Sequence, residues 1–204
     1  ENYKKIVEDI EDKSDVKELQ IPKSLNKTLR QYQKIGFKWL STLDEYGFGG
    51  ILADDMGLGK TIQVLSLILA YKEKAKQDKK PIIVVCPSSL SLNWKAEIEK
   101  FASDILAIVI SGNMAIRKEQ IKQISKVDVV ITSYDLLKRD IELYKEYNYE
   151  FRYIIADEAQ YMKNSNTQNA KAIKALNGKT RFALTGTPIE NSLSELWSIF
   201  DFLM

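Results

Sequence analysis

The amino-acid sequence predicts an α/β fold with a mostly parallel sheet and helices on both of its faces. Short runs of aliphatic and β-branched residues alternate with longer segments in which apolar residues recur at helical spacing. Polar, hydroxyl or glycine residues follow the apolar runs, as they do where buried parallel strands end. This alternation is typical of a sheet covered on both faces, and one domain is expected.

The helical segments are recognised by their apolar spacing and by the residues that end them. In the first, Ile35, Trp39 and Leu43 recur at helical spacing, and Gly47 and Gly49 then end the helix. The predicted helices cover residues 29–46, 60 to about 77, 90–101, 116–124, 136–144 and 193–202.

Apolar runs predict the strands of the sheet. The run at 82–86 is continuously apolar, which is typical of a central parallel strand buried on both faces. The predicted strands cover residues 50–53, 82–86, 107–110, 127–134, 153–156 and 181–184. Because ligands gather at the carboxyl ends of such strands, the segments that follow them are the candidate functional sites.

Composition excludes several classes of function. The 204 residues contain no histidine, which removes histidine catalysis and histidine metal sites, and the single cysteine, Cys86, removes disulfides. No apolar run has the length of a membrane span, and the acidic N-terminus is unlike a signal peptide. The formal charge of +2 is mild, so a DNA-binding surface would have to be a local patch. Residues 1–26 are predicted to form a charged leading arm before a main unit of 27–204.

Residues 50–61 (GILADDMGLGKT) combine a predicted strand, a glycine-bearing turn and the start of a helix. Gly57 and Gly59 let the turn curl so that its N–H groups point at an anion, and the helix start adds further N–H groups. Lys60 is then placed to reach phosphates, and the Thr61 hydroxyl to bind Mg²⁺. The alternative is a plain glycine turn before a helix, which the strand before it and the helix after it disfavour.

Two acids, Asp157 and Glu158, follow the predicted strand at 153–156. An aspartate at a strand end beside a phosphate loop can hold Mg²⁺, and the adjacent glutamate can orient and deprotonate an attacking water. Two acids after a strand are commonly only a solvated strand end. Together with Lys60 and Thr61, however, they predict a nucleoside triphosphatase.

Two features are open to a functional and to a structural interpretation. Gln33 could bind the N6/N7 edge of an adenine or could be a solvent-facing helix residue, and spacing does not distinguish these roles. The hydroxyl residues within 87–89 and 132–134 could cap helices or could dock a phosphate backbone.

Several segments together resemble the motifs of the Swi/Snf-type DNA translocases of helicase superfamily two, in particular of their Rad-fifty-four-like members. The likeness covers nearly everything from Leu25 to Met204, with six motifs in the family's order. Motifs I, II and III correspond to residues 54–61, to 157–160 with Lys163 and Asn164, and to 184–191 (LTGTPIEN). The adenine motif and motifs Ia and Ib correspond to 29–33 (LRQYQ), to 86–90 with Asn93 and Trp94, and to 131–137 (ITSYDLL).

The resemblance implies a RecA-like first lobe of the P-loop NTPase class, with ATP and Mg²⁺ as ligands and double-stranded DNA as the track. It implies that Lys60, Asp157 and Glu158 are catalytic and that Thr61 and Asp157 hold the metal. It assigns ATP binding to Arg30, Gln33, Asp55, Met56, Gly57, Leu58, Gly59, Lys60 and Thr61. It assigns DNA binding to Pro87, Ser88, Ser89, Thr132, Ser133 and Tyr134. It assigns coupling between the ligands to Gln160, Thr185, Gly186 and Thr187.

The sequence departs from the family pattern at four positions. Asp54 replaces the first glycine of the G-x-x-x-x-G-K-[S/T] pattern, a change that the helicase-like branch tolerates. Asp55 stands where most relatives have glutamate, Gln160 where many have histidine, and Gln31 where many have proline. None of these changes removes a group that hydrolysis requires.

The family's second lobe, which supplies arginine fingers and half of the DNA groove, does not follow in this sequence. The five arginines include no Gly-Arg-x-x-Arg arrangement, so the sequence is expected to be a fragment that works with the second lobe of the same polypeptide. One alternative is an isolated module that binds ATP or DNA and hydrolyses almost nothing. An RNA helicase lobe is another, but Gln160 and residues 185–187 differ from the usual motifs of such proteins. An intracellular, DNA-associated location in cytoplasm, nucleoid or nucleus is expected.

Overall fold

The computed structural model describes residues 21–54, 57–75, 79–164, 166–186 and 193–204. Its strands are β1 (Gly50–Ala53), β2 (Ile82–Cys86), β3 (Ala107–Val109), β4 (Val129–Ser133), β5 (Glu150–Ala156) and β6 (Asn177–Thr185). Its helices are α1 (Gln31–Glu45), α2 (Lys60–Lys74), α3 (Ser91–Phe101), α4 (Met114–Lys122), α5 (Tyr134–Glu146), α6 (Gln168–Lys174) and α7 (Leu193–Leu203). The predicted α/β fold with a parallel sheet is confirmed.

The six strands form one all-parallel sheet in the order β1-β6-β5-β2-β4-β3. β6 is the last of the described strands along the chain, but in the sheet it lies between β1 and β5. The register pairs Ala53 with Thr185 and Ala156 with Ala183. The carboxyl ends of these three strands thus meet at one edge, and the segments that follow them emerge side by side.

Two hydrophobic clusters cover the two faces of the sheet. Val84 and Ile155 point into the first cluster together with residues of α1, α2 and α3. Ile83 and Val85 point into the second, which contains residues of α4, α5, α6 and α7. All five residues of β2 are buried, which explains why its sequence is apolar without alternation.

The structure differs from the sequence expectations at several boundaries. Tyr134 begins α5 and does not end β4, because Ser133 caps that helix through its hydroxyl. β6 starts at Asn177, four positions before the predicted start at Arg181, because its polar first residues pair with the first residues of β5. The short helix α6 was not predicted; Thr167 caps it, and it buries mostly alanines, which leave a weak periodic signal.

The predicted leading arm lies largely outside the described residues. Within the part that the structure describes, Leu25 is 1% exposed and packs into the first cluster. Its end therefore contacts the core. Among the described helices, none combines the length and the apolar character that crossing a membrane would need.

Asp44, near the end of α1, attaches this helix to the sheet. Its carboxylate accepts two hydrogen bonds from Arg152 Nη2, at 2.7 and 2.6 Å, and one from the Tyr153 hydroxyl at 2.8 Å. Thr180 Oγ1 of β6 adds a fourth at 3.1 Å. Because residues of β5 and β6 both bind Asp44, they attach the C-terminal end of α1 to the sheet.

Asp44→Ala should lower the free energy of unfolding by about 3 kcal/mol, because it leaves the largely buried Arg152 guanidinium without its carboxylate. Urea denaturation followed by circular dichroism measures this loss. Glu142→Ala is the matched control, since it removes an exposed pair with Lys145 and should cost less than about 1 kcal/mol. Equal small losses for the two variants would contradict the anchoring role of Asp44.

Candidate nucleotide-binding site

The turn between β1 and α2 has the backbone shape that an anion cradle needs. Gly57 and Gly59 adopt φ values of 83° and 78°, in the left-handed region that side chains disfavour. α2 begins directly afterwards at Lys60, whose Nζ donates to the Asp54 carbonyl at 2.7 Å. The half-buried Thr61 lies in the first turn of α2, whereas Asp55 and Met56 lie outside the described residues.

Asp54 has a structural role that explains its departure from the glycine of the usual pattern. Its Oδ2 accepts a hydrogen bond from Gln63 Nε2 at 2.9 Å. Gln63 in α2 is fully buried, and its side chain packs directly against Gly36 of α1. The Asp54 side chain therefore braces the turn against α2, a contact that the sequence pattern did not reveal.

Gln33 is buried, and its side chain connects α1 to the turn. Its Oε1 accepts from the Arg30 main-chain N–H at 2.9 Å, and its Nε2 donates to the Leu58 carbonyl at 3.1 Å. The Tyr32 hydroxyl donates to the same carbonyl at 3.0 Å. The solvent-facing alternative for Gln33 is therefore wrong, and contact with an adenine stays a prediction.

A cleft of about 560 Å³ opens beside these residues. It lies between the first turn of α1, the glycine turn, the start of α2 and one side of α3. Arg30, Gln33, Gly57 and Gly59 line it, so the structure brings four of the predicted ATP-binding residues together. Its volume is within the usual range for small-molecule sites.

Asp157, directly after β5, is held on every side. Its Oδ2 accepts from the Trp94 indole N–H at 2.8 Å, and its Oδ1 accepts from the Glu158 main-chain N–H at 2.9 Å. Its main-chain N–H donates to the Val85 carbonyl, and its carbonyl accepts from the Tyr134 hydroxyl, both at 2.8 Å. Burial raises the pKa of the Asp157 carboxyl, the Trp94 hydrogen bond opposes that shift, and neighbouring Glu158 adds to it.

Glu158 and the coupling residues form a second hydrogen-bonded chain at this edge. Glu158 has φ +49°, unusual for a side-chain-bearing residue. Its Oε2 accepts from Gln160 Nε2 at 2.5 Å, and Gln160 Oε1 accepts from Thr185 Oγ1 at 3.2 Å. The ends of β5 and β6 are thus connected through Gln160. Gly186 follows Thr185, Thr187 lies outside the described residues, and the coupling role stays a prediction.

The predicted DNA-binding residues divide into an exposed and a buried group. Ser88 and Ser89 are exposed and precede α3, whereas Pro87 is buried. Thr132, Ser133 and Tyr134 are 0%, 4% and 2% exposed.

Two of the buried residues have structural partners. The Ser133 hydroxyl accepts from the Leu136 N–H, which is the capping role weighed from the sequence. The Tyr134 hydroxyl donates to the Asp157 main-chain carbonyl. Contact of Ser133 and Tyr134 with DNA stays a prediction.

The oxygen donors at this edge suit Mg²⁺, which takes few ligands from the protein. They do not suit a metal ion whose ligands all come from the protein. Within the described residues, no group of three or more histidine, cysteine or acidic side chains could hold an ion. The Asp157 carboxylate follows β5, the Thr61 hydroxyl lies in the first turn of the helix that follows β1, and both are hard oxygen donors. Mg²⁺ is commonly held by one or two such ligands together with substrate phosphates and water.

The family model described as SNF2-related domain matches residues 32–204. The chain belongs to the SNF2-related family. It is 36% identical to "TATA-binding protein-associated factor MOT1" of Saccharomyces cerevisiae, a match that covers 100% of this chain and 11% of that protein. It is 43% identical to "Putative ATP-dependent helicase/translocase YwqA" of Bacillus subtilis, over 91% of this chain and 20% of that protein.

Solved structures of the SNF2 family share the fold. The "Sulfolobus solfataricus SWI2/SNF2 ATPase core in complex with dsDNA" is 42% identical with a TM-score of 0.76, over 86% of this chain and 35% of that one. The ATPase core domain from the same organism is 41% identical with a TM-score of 0.71. The chain therefore spans about a third of the solved cores and a tenth to a fifth of the curated relatives reported above.

Alanine at the two glycines of the turn should have unequal effects. Both positions hold positive φ, so alanine should cost about 1 to 2 kcal/mol of stability at each. At Gly59 the new Cβ would also lie 2.5 Å from Gln33 Nε2, whereas at Gly57 it would meet open space. Gly59→Ala should therefore lose about 1 kcal/mol more, for the broken bond between Gln33 and Leu58. Equal losses in urea denaturation would show that the Gln33 contact does not hold the turn.

Proposed function

We propose that this chain is the ATP-binding lobe of a SNF2-family translocase that hydrolyses ATP with Mg²⁺ to move on double-stranded DNA. The arrangement of the sheet edge carries the proposal, because Lys60 follows β1, Asp157 and Glu158 follow β5, and β6 lies between these strands. An anion-binding turn, a lysine, a metal-binding carboxylate and a neighbouring base are what phosphoryl transfer requires. The names of two relatives support the same function, because they describe an ATP-dependent helicase and an ATP-dependent helicase/translocase. A similar solved core is in complex with dsDNA.

The turn would bind phosphates through its N–H groups and through Lys60. The Lys60 ammonium donates to the Asp54 carbonyl. To reach a phosphate it would exchange this neutral acceptor for a charged one, and hydrogen bonds to charged acceptors are stronger. Triphosphate binding would therefore exchange the Asp54 carbonyl for a phosphate oxygen as the acceptor of this hydrogen bond.

The metal-binding residues would be Thr61 and Asp157. When bound, Mg²⁺ neutralises charge on the β- and γ-phosphates during transfer. The Asp157 carboxylate would face it with both oxygens already hydrogen-bonded to protein N–H groups. The raised pKa of Asp157 reflects its burial, and a cation beside it would favour the charged form.

Glu158 would take the proton from the attacking water. A base for this step has to be held within hydrogen-bonding reach of the water. Gln160 orients the carboxylate through Oε2, and Thr185 in turn orients Gln160. Through these two hydrogen bonds, Thr185 of β6 is connected to the Glu158 carboxylate. This connection fits the coupling role proposed for Gln160 and Thr185.

We propose that the arginine needed at the γ-phosphate comes from a second lobe of the same polypeptide. Arg117 and Arg152 pair with Asp140 and Asp44, and Arg181 donates to main-chain carbonyls. Arg30 lies at the cleft, beside the proposed adenine contact. The SNF2-related match also favours a DNA track over an RNA track, and with it a DNA-associated location inside the cell.

Lys60→Ala should weaken triphosphate binding by at least about tenfold, the loss expected for one hydrogen bond between charged groups. The fold should remain, because Lys60 is half-buried at the first position of α2 and the buried stretch of that helix begins only at Ile62. Anisotropy of a fluorescent ATP analogue measures the affinity, and circular dichroism checks the fold. Lys138→Ala, which removes an exposed lysine of α5, is the control and should bind like the parent. An unchanged affinity of Lys60→Ala would contradict the cradle assignment.

Residues 1–204 alone should bind Mg–ATP but hydrolyse it slowly, because an arginine finger contributes roughly 10³ to 10⁵ in rate. Duplex DNA should stimulate the isolated chain little. In a longer protein that contains both lobes, turnover should appear, and Glu158→Gln should stop it while ATP still binds. Steady-state phosphate release, with and without duplex DNA, measures the turnover of the isolated chain and of the longer protein. Strong DNA-stimulated turnover by the isolated chain would show that its site is complete.

A further inference from the structure

Trp94 contacts the reaction site from the interior of the protein. It lies in α3, is 1% exposed, and is among the largest fully buried side chains of the described residues. Its indole N–H donates to Asp157 Oδ2 at 2.8 Å, across 63 positions of the sequence. An indole can only donate, so its direction fixes which carboxylate oxygen it holds.

The contact completes the restraint on the Asp157 side chain. The Asp157 main chain is already tied to Val85 on one side and to the Tyr134 hydroxyl on the other. The remaining freedom of the carboxylate is rotation about its two side-chain bonds. Hydrogen bonds on both oxygens, from Trp94 and from the Glu158 N–H, set those two torsions.

We propose that Trp94 is a positioning residue for the Asp157 carboxylate, which fixes its orientation for Mg²⁺. This inference rests on the proposed function of Asp157 as a metal ligand. An indole is neutral, so it orients the carboxylate without cancelling the charge that attracts a cation, as a lysine or arginine would. A carboxylate offers about four lone-pair sites, so both oxygens keep capacity for a metal or its waters. Mg²⁺ demands near-ideal octahedral geometry, which makes the orientation of a ligand matter.

A purely structural role is the competing explanation, since Trp94 also belongs to the first core cluster. Trp94→Phe separates the two roles, because it keeps an aromatic ring in the core and removes the N–H donor. Trp39→Phe is the matched control: Trp39 packs against the same cluster from α1. Loss of packing should weaken every form of nucleotide binding, whereas loss of positioning should weaken only the part that depends on Mg²⁺.

The test is binding of a fluorescent ATP analogue by the 204-residue chain, titrated with Mg²⁺ and repeated in EDTA. Trp94→Phe should need about tenfold more Mg²⁺, the lower end of what loss of a partner to a metal ligand costs. Its affinity in EDTA should equal that of the parent, and Trp39→Phe should match the parent in both measurements. In an Asp157→Asn background, Trp94→Phe should change the Mg²⁺ requirement no further.

Several results would overturn the inference. An unchanged Mg²⁺ requirement in Trp94→Phe, or an equal loss of affinity in EDTA, would leave Trp94 with packing alone. A parent chain whose nucleotide binding does not depend on Mg²⁺ would overturn the proposed function as well.

A second measurement does not depend on the folding of Trp94→Phe. The indole ¹⁵N–¹H signal of Trp94, identified in a chain carrying Trp39→Phe and Trp197→Phe, should shift when Asp157→Asn is added. A signal that does not move would contradict the hydrogen bond itself.

Discussion

β6 lies between β1 and β5, and this strand order brings together the segments of the candidate site. The register pairs Ala53 with Thr185 and Ala156 with Ala183, two residues earlier on β6. The carboxyl ends of the three hydrogen-bonded strands therefore lie at the same edge of the sheet. The glycine turn, the Gln160 contact and the two acids emerge there as neighbours. The site is therefore a consequence of strand order, since its parts are far apart along the chain.

The groups at this edge are already engaged within the protein. Lys60 donates to Asp54, Gln33 to Leu58, and Glu158 accepts from Gln160. These contacts hold the side chains in place, so ligand binding would exchange partners at a prepared surface. Burial, and after it the neighbouring Glu158, raise the pKa of the Asp157 carboxyl, and a bound cation would favour its charged form.

Local pattern predicted much of this fold, because β2 is apolar throughout and α2 is buried continuously from Ile62 to Ala70. The family resemblance was confirmed, and with it the fold. Sequence reasoning missed α6, which is short and capped by Thr167, and the polar start of β6, which only pairing with β5 makes a strand. It also missed the contacts of Asp54 with Gln63 and of Trp94 with Asp157, because side-chain hydrogen bonds between different elements leave no periodic trace in the sequence.

Hydrogen–deuterium exchange of the chain with and without Mg–ATP would show whether a nucleotide binds at the carboxyl ends of β1 and β5, because it reports where the backbone becomes protected. We expect slower exchange in three segments that are separate in sequence and adjacent at the sheet edge, namely 30–34, 57–63 and 157–160. Exchange around Asp44 and the first residues of β5, at the opposite edge of the sheet, should not change. Protection at that opposite edge, or none at 157–160, would show that the nucleotide does not bind where Lys60 and Asp157 come together.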